Sequence, residues 1–519
     1  MIFIERVNLL NFKRFQKITI PFDKELNLLI GDNEAGKSSI LTAIDLVLSG
    51  SRSKVETLGL ESLFTEEVIA NFLSGTKQYA GLPKLTVEVF FNHQNDPDLY
   101  GNFNSEHRMA DGLQLCCEPD NRLSQEINLI LQQKDANFPF EYYTINFNTF
   151  SGQQYTSYRK FLRHVLIDSS QINNEYATKK YVKDMYESVT QDVERYKHLN
   201  EYRNYKADYS KNVLSSLNSR TGSYQFGVRS SSKANLATDI ILNEGNINIE
   251  NKGKGKQCFI KTDFALKRTG TALDAILLEE PENHLSHIQM KKLIDQIRGT
   301  NDKQLFISTH NSLISTRLNL KKSILLNSNA TINASLKNVK NETAEFFMKA
   351  PDNNVIEFVL SNKVILVEGD AEFILMEEFF LNSAGRSLDS AGVHVISVDG
   401  TSFKRYLELA DVLKIKTAVI TDNDGSYQKN CLDNYKDFTA PNIRIFADTD
   451  DGRRTFELCM YEDNKAVCDS LFANGRRTLT VEEHMLANKT EVAFELLTKN
   501  GQQIIAPDYI KQAITWINA

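Results

Sequence analysis

Residues 31–39 read Gly31-Asp32-Asn33-Glu34-Ala35-Gly36-Lys37-Ser38-Ser39, and no other stretch constrains the fold of this chain as strongly. The apolar run Leu26 to Ile30 before it has the length of a buried strand. After it, Ile40, Leu41, Ile44, Val47 and Leu48 recur at helical spacing. Strand, glycine loop and helix in this order, with the spacing G-x-x-x-x-G-K-[ST], form a phosphate cradle. Glycines let the backbone curl until its N–H groups point inward, and the helix N-terminus adds partial positive charge. Lys37 then reaches the outer phosphates of a nucleotide, and the Ser38 hydroxyl can hold Mg²⁺. Asn33, Gly36, Lys37, Ser38 and Ser39 are the expected nucleotide-binding residues. The competing reading, a chance glycine-lysine turn, requires neither the strand nor the helix.

The chain of 519 residues has room for two to four domains. Its 41% apolar and 24% charged content suits a soluble globular protein. A net charge of −7 excludes a uniformly basic DNA binder. It leaves room for a local basic groove and for carboxylate clusters that hold metal. The six cysteines form no C-x-x-C pair, and no histidine lies at zinc-finger spacing. They read as buried or incidental thiols of a reducing cytosol. The N-terminus lacks the layout of a secretion signal, and no apolar run reaches membrane-spanning length. The expectation is a cytoplasmic protein without membrane contact.

Phe3 to Leu10 and Ile18 to Phe22 are candidate strands, as are Leu85 to Phe91, Gln114 to Cys117, Glu126 to Leu131 and Tyr142 to Phe147. Residues 156–220 lack Gly and Pro and carry a loose helical pattern, which predicts two or three long inserted helices. Asn251-Lys252-Gly253-Lys254-Gly255-Lys256-Gln257 is a basic glycine loop before a helical run from Cys258. Ala275 to Leu278 is an apolar strand that ends in Glu279-Glu280-Pro281-Glu282. Strand neighbours point to opposite faces, so Glu279 and Glu280 are expected to play different roles. Gln304 to Ser308 is a further strand, closed by Thr309-His310-Asn311.

The order of these motifs resembles the ATPase heads of the ABC superfamily, particularly the chromosome-maintenance and recombination-repair group. The resemblance implies ATP as cofactor and a homodimer or higher homo-oligomer through the heads. It gives Glu279 the Walker B position near Mg²⁺ and makes Glu280 the base that polarises the attacking water. His310 becomes the switch histidine at the γ-phosphate. Lys254 and Gly255 fall in the place of the signature S-G-G-Q, with Lys254 where serine is expected, and would meet the γ-phosphate bound by the other subunit. A solvated basic loop on a DNA backbone is the alternative there. Lys13 or Arg14 would help hold nucleotide, or be surface charge. The coupling glutamine would be Gln153, Gln154 or Gln171. The helical insertion would dimerise or brace substrate.

Residues 320–360 are linker-like, with a new domain starting near Val355. The expected division is 1–345 and 346–519. Lys363 to Val367 is a strand, Glu368-Gly369-Asp370 a turn beside which Gly369 lets the chain bend sharply, and a helix carrying Glu372 follows. Val393 to Val398, Phe403 to Leu413 and Thr417 to Thr421 continue as strand, helix and strand, ending in Asp422-Asn423-Asp424-Gly425. This alternation favours a parallel sheet with its site at the strand C-termini.

The ordered E-G and D-x-D resemble the Toprim domain of topoisomerases, primases and OLD-family nucleases. Glu457, and Lys489 at the start of a late helix, bring the whole chain closest in layout to the OLD family, including Gabija-type and retron-associated effectors. The implied fold class is α/β: an ABC-type ATPase head with a helical insertion, then a Rossmann-like Toprim domain. The resemblance implies two-metal hydrolysis of DNA phosphodiesters with Mg²⁺ or Mn²⁺. Glu368, Asp422, Asp424 and Glu457 would hold metal, joined by Glu372 and Asp370. Lys489 would stabilise the transition state or orient water, or be a helix-surface lysine. The implied partners are double-stranded DNA and an accessory helicase or retron reverse transcriptase and RNA, in bacterial anti-phage defence. The alternative is a non-nucleolytic DNA-binding ATPase with a degenerate Toprim domain.

Overall fold

The run before the glycine loop forms the strand Leu26–Gly31, whose interior residues are buried. A strand buried on both faces belongs in a parallel sheet, and Leu26–Gly31 lies between Gln304–Thr309 and Ser323–Leu326, parallel to each. Ala275–Glu279 and then His164–Asp168 extend the sheet, again in parallel. A second, antiparallel sheet carries Phe15–Pro21, Ile4–Phe12, Leu85–Phe91 and Ala110–Pro119 in that order, with Tyr143–Thr149 paired to the last. The helix Lys37–Ser49 packs against strands of both sheets and is buried along almost its whole surface.

This computed structural model describes residues 2–133, 136–169, 175–221, 224–229, 236–266, 273–300, 302–326, 334–349, 354–398, 403–473 and 479–519. The chain divides into two compact units, Met1–Ile314 with Lys322–Asn333, and Ser315–Lys321 with Ala334–Ala519. In the second unit a four-stranded parallel sheet runs in the order Val393–Ser397, Lys363–Val367, Lys416–Ile420, Ile443–Phe446. Asp370–Ala384, Lys489–Asn500 and Asp508–Asn518 pack around it. Phe379, Phe380 and Ile510 fill its core.

Several sequence expectations change. Ser124–Leu131 is a helix, because Ile127 and Leu131 share a buried face while Leu129 is exposed. The supposed linker contains the buried strand Ser323–Leu326 and the helices Asn341–Lys349 and Val355–Leu360, each with a buried apolar face. Within 156–220, His164–Asp168 is a strand; Val165 and Ile167 are buried beside Ala275–Glu279. The long helices begin later, at Glu175–Val189 and Asp192–Asp208. Gln171 lies outside the described residues. No described helix is long and apolar enough to cross a membrane. All six cysteines are free thiols.

Candidate functional site

The glycine loop closes as its composition demands. Gly36 has φ +95, a left-handed conformation costly for side-chain residues, and a Cβ there would strike Phe15 and Arg14. At Gly31 a Cβ would lie 2.3 Å from the Leu326 carbonyl oxygen, so only glycine fits against the neighbouring strand. A cleft of about 630 Å³ is lined by Lys13, Arg14, Asn33, Gly36, Lys37, Ser38 and Ser39 and by Glu280. Glu61, Phe64 and Glu66 also line it. Lys37 is buried, and its Nζ donates to the carbonyls of Gly31 at 2.6 Å and Asp32 at 2.9 Å. Burial lowers its pKa; Glu280, Asp32, Glu282 and Glu279 oppose that shift. Arg14 donates to the Glu34 carbonyl. Lys13 is also lowered by burial and opposed by Glu279.

Glu279 ends its strand and accepts a hydrogen bond from Ser38; burial raises its pKa, with Asp168 and Glu280 adding repulsion. Strand alternation alone would send Glu280 to the other face. Instead Glu280 has left the strand with φ 43, and it lines the same cleft as Ser38. Its Oε2 accepts from Asn283 Nδ2 at 2.8 Å, and its Oε1 lies 3.4 Å from Nδ1 of the half-exposed His310.

The basic loop behaves differently from its expected description. The helix begins at Lys254 rather than Cys258, so Lys254, Gly255, Lys256 and Gln257 form its first turn. Lys252 and Lys256 both pair with Glu244, Lys256 at 3.0 Å. Lys254 is exposed. A Cβ on Gly255 would sit 2.0 Å from the His284 carbonyl oxygen, so glycine allows this turn to meet the loop after Glu280.

In the second unit the sheet brings Glu368, Glu372, Asp422, Glu457 and Lys489 together. Glu368 follows its strand directly, and its Oε2 accepts from the Thr421 hydroxyl and the Asp422 N–H, both at 3.2 Å. Asp422 Oδ1 accepts from Phe456 N–H at 2.8 Å, which ties the strand end to the helix Phe456–Asp463 and its Glu457. Lys489 Nζ lies 3.0 Å from Glu457 Oε2. Asp424 stands apart from these residues: it is exposed on the turn, with φ 49 and its N–H donated to the Arg454 carbonyl. Gly369 is extended, so no special conformation calls for glycine; a Cβ there would meet only Glu372 Oε2, at 3.6 Å. Among the described residues, no three His, Cys, Asp or Glu side chains yet converge tightly enough to cage an ion.

Burial pushes Asp422 up to about 8, helped by Glu368, Glu372 and Glu457 and opposed by Lys489. Burial likewise pushes Glu372 up to about 7, with Glu457 and Glu368 adding to it. An all-oxygen donor set in which the anions repel one another suits a hard divalent cation, whose charge would relieve that repulsion.

The sign of the pH effect follows. An unfolded aspartate titrates near about 4, so between that pH and 8 the folded state holds the extra proton and loses stability as pH rises. Without divalent metal, the melting temperature of Asp422→Asn minus that of wild type should grow from pH 5 to pH 8. Thermal melts of both proteins across this pH range read the difference directly. A difference that stays flat or shrinks would overturn this reading of Asp422.

Four residues were missed by sequence reasoning. Asp168 reaches Glu279 through the strand hidden in the helical stretch; the signal was an apolar run ending in Asp. Glu282 sits behind His310, the third acid of the E-E-P-E run. Asn423 is buried, and its amide donates to the carbonyls of Asp448 at 2.9 Å and Asp450 at 2.8 Å, holding the D-x-D turn to the next loop. Arg453 fixes that loop, bonding Asp448 at 2.7 Å and Asp463 at 2.8 Å.

Residues 359–424 match the family model described as overcoming lysogenization defect protein-like, TOPRIM domain, and residues 6–213 match an AAA domain model. Over 94 residues the chain is 33% identical to the chromosome partition protein Smc of Halothermothrix orenii, covering 18% of this chain and 7% of that protein. Over 78 residues it is 36% identical to the DNA double-strand break repair Rad50 ATPase of Thermoplasma acidophilum, covering 15% of this chain and 9% of that protein. The chain thus spans less than a tenth of the length of either relative. Among solved structures, an Smc head bound to the C-winged helix domain of ScpA aligns at 15% identity over 64% of this chain and 96% of its own, with a TM-score of 0.34. The C-terminal region of the Xanthomonas campestris pv. campestris OLD protein aligns at 24% identity over 30% of this chain and 94% of its own, with a TM-score of 0.23. The chain therefore joins an AAA-type ATPase domain to a Toprim domain of the overcoming-lysogenization-defect-like family.

Proposed function

We propose that this protein is an ATP-binding, metal-dependent DNA endonuclease. The observation that carries the reading is the gathering of Glu368, Glu372, Asp422, Glu457 and Lys489 at the C-terminal end of one parallel sheet, in a chain that also bears a phosphate loop. Mg²⁺ or Mn²⁺ held by Glu368, Asp422 and Glu457, with Glu372 beside them and Asp424 at the exposed rim, would supply Lewis acidity and an activated water. Burial and mutual repulsion raise the pKa values of Glu372 and Asp422, and a bound divalent cation would offset both by favouring the charged carboxylates. Lys489, half-exposed and anchored by Glu457, offers its ammonium to a DNA phosphate and to the charge that develops there.

In the first unit, Lys37, Ser38, Glu279, Glu280 and His310 line up for ATP binding and hydrolysis. Glu280 orients the attacking water and His310 senses the γ-phosphate. Two copies would pair through these units so that Lys254 and Gly255 of each face the nucleotide of the other. Double-stranded DNA is the substrate class. Anti-phage defence with an accessory partner is the setting the family resemblance implies.

Supercoiled plasmid incubated with the protein and Mg²⁺ or Mn²⁺ should become nicked and then linear, and should stay supercoiled in EDTA. Plasmid that stays supercoiled under every metal and nucleotide condition would sink the nuclease reading.

A further inference from the structure

Glu280 and His310 account for the usual pair at the end of a phosphate-handling sheet, but a third acid lies behind them. Glu282 is buried. Its Oε1 accepts from the Thr309 hydroxyl at 2.5 Å and from the His310 backbone N–H at 3.3 Å. The same oxygen lies 3.8 Å from His310 Nδ1, while its Oε2 is buried without a hydrogen-bond partner. Thr309 is itself buried and ends the strand, and its hydroxyl also accepts from the Asn311 N–H at 3.0 Å.

His310 is the first residue beyond the strand, so ladder hydrogen bonds do not fix its backbone. We propose that Glu282 is a positioning residue for His310: its buried carboxylate grips the Thr309–His310 turn and thereby aims the imidazole at Glu280 and the γ-phosphate. This rests on the ATPase reading above. A buried carboxylate with one unpaired oxygen is costly to keep. The acceptor stands on the Glu280 turn and the donors on the next strand's end, so it joins the water-orienting and phosphate-sensing elements.

The test is a double-mutant cycle on steady-state ATP hydrolysis by the full chain, with nucleotide affinity and melting temperature measured for each variant. Glu282→Ala should lower kcat by at least about tenfold, with KM for ATP within about twofold of wild type, because the phosphate loop lies on another element. Glu282→Gln keeps the acceptor and should recover most of the lost kcat. In a His310→Ala background, Glu282→Ala should cost nothing further, since its effect runs through the missing ring. Should the alanine variant fail to fold, Glu282→Asp withdraws the acceptor by one methylene and carries the same cycle. Additive losses, or wild-type kcat in Glu282→Ala, would overturn the inference. Hydrolysis by wild type no faster than by Lys37→Ala would overturn the ATPase reading and the inference with it. Hydrolysis lost in Lys37→Ala but intact in Glu282→Ala would overturn the inference alone.

Discussion

Asp422→Asn is expected to cut no DNA and yet to melt above the wild type at pH 8 without metal. Both effects have one cause. Asp422 is packed against Glu368, Glu372 and Glu457, and burial with their charge raises it to about 8. Asparagine mimics the protonated aspartic acid and keeps an oxygen for the Phe456 N–H, so the metal-free fold loses repulsion rather than a bond. In the proposed nuclease the same change removes an anionic metal ligand. Plasmid nicking should fall by at least about a thousandfold, near 4 kcal/mol of barrier. Mg²⁺ should stabilise the wild type at pH 8 but much less so the variant, which melting curves with and without the ion would record. Nicking that survives in Asp422→Asn would remove Asp422 from the chemistry. An inactive variant that is also destabilised at pH 8 would point to misfolding. A wild type that never nicks would favour the DNA-binding ATPase reading.

Lys37→Ala is expected to lower ATP hydrolysis by at least about a hundredfold and to weaken nucleotide binding by about tenfold or more. Lys37 is the buried cation of the cleft, facing Glu280, Asp32, Glu282 and Glu279. Its ammonium now holds the Gly31 and Asp32 carbonyls, and these give way readily to a phosphate because the exchange replaces neutral acceptors by a charged one. Alanine strips the cation and leaves the acids to repel the nucleotide as well as one another. A coupled hydrolysis assay and a titration with fluorescent ATP analogue measure the two effects separately. Hydrolysis at the wild-type rate would show that the loop does not serve catalysis. Comparing DNA cleavage by wild type and Lys37→Ala, with and without ATP, then gives the sign of any coupling between the two sites.

Much of the architecture was legible because its signals are local. Leu26–Gly31, the glycine loop and Lys37–Ser49 follow from apolar run length, glycine placement and helical period. The strand–helix alternation from Lys363 to Ile420 was equally plain, because each element carries its own periodicity. His164–Asp168 was lost in a longer helical pattern, since only its parallel pairing with Ala275–Glu279 distinguishes so short an apolar run from a helix face. Ser323–Leu326 failed the same way amid polar neighbours.

The sequence by itself determined that this chain carries a phosphate loop, an acidic strand end, a later histidine and an ordered set of carboxylates. Backbone curvature at Gly36 and the alternation of strands and helices are written in residues close together along the chain. Tertiary structure alone decided that Glu280 turns back through a positive φ to the side of Ser38, and that Glu282 lies under His310. It also decided that Lys489 meets Glu457, while Asp424 stays on the rim of the buried acids. Burial and charge–charge distance depend on which distant elements pack together. Residues 54 apart, such as Glu368 and Asp422, acquire their shared chemistry only when the sheet sets them side by side.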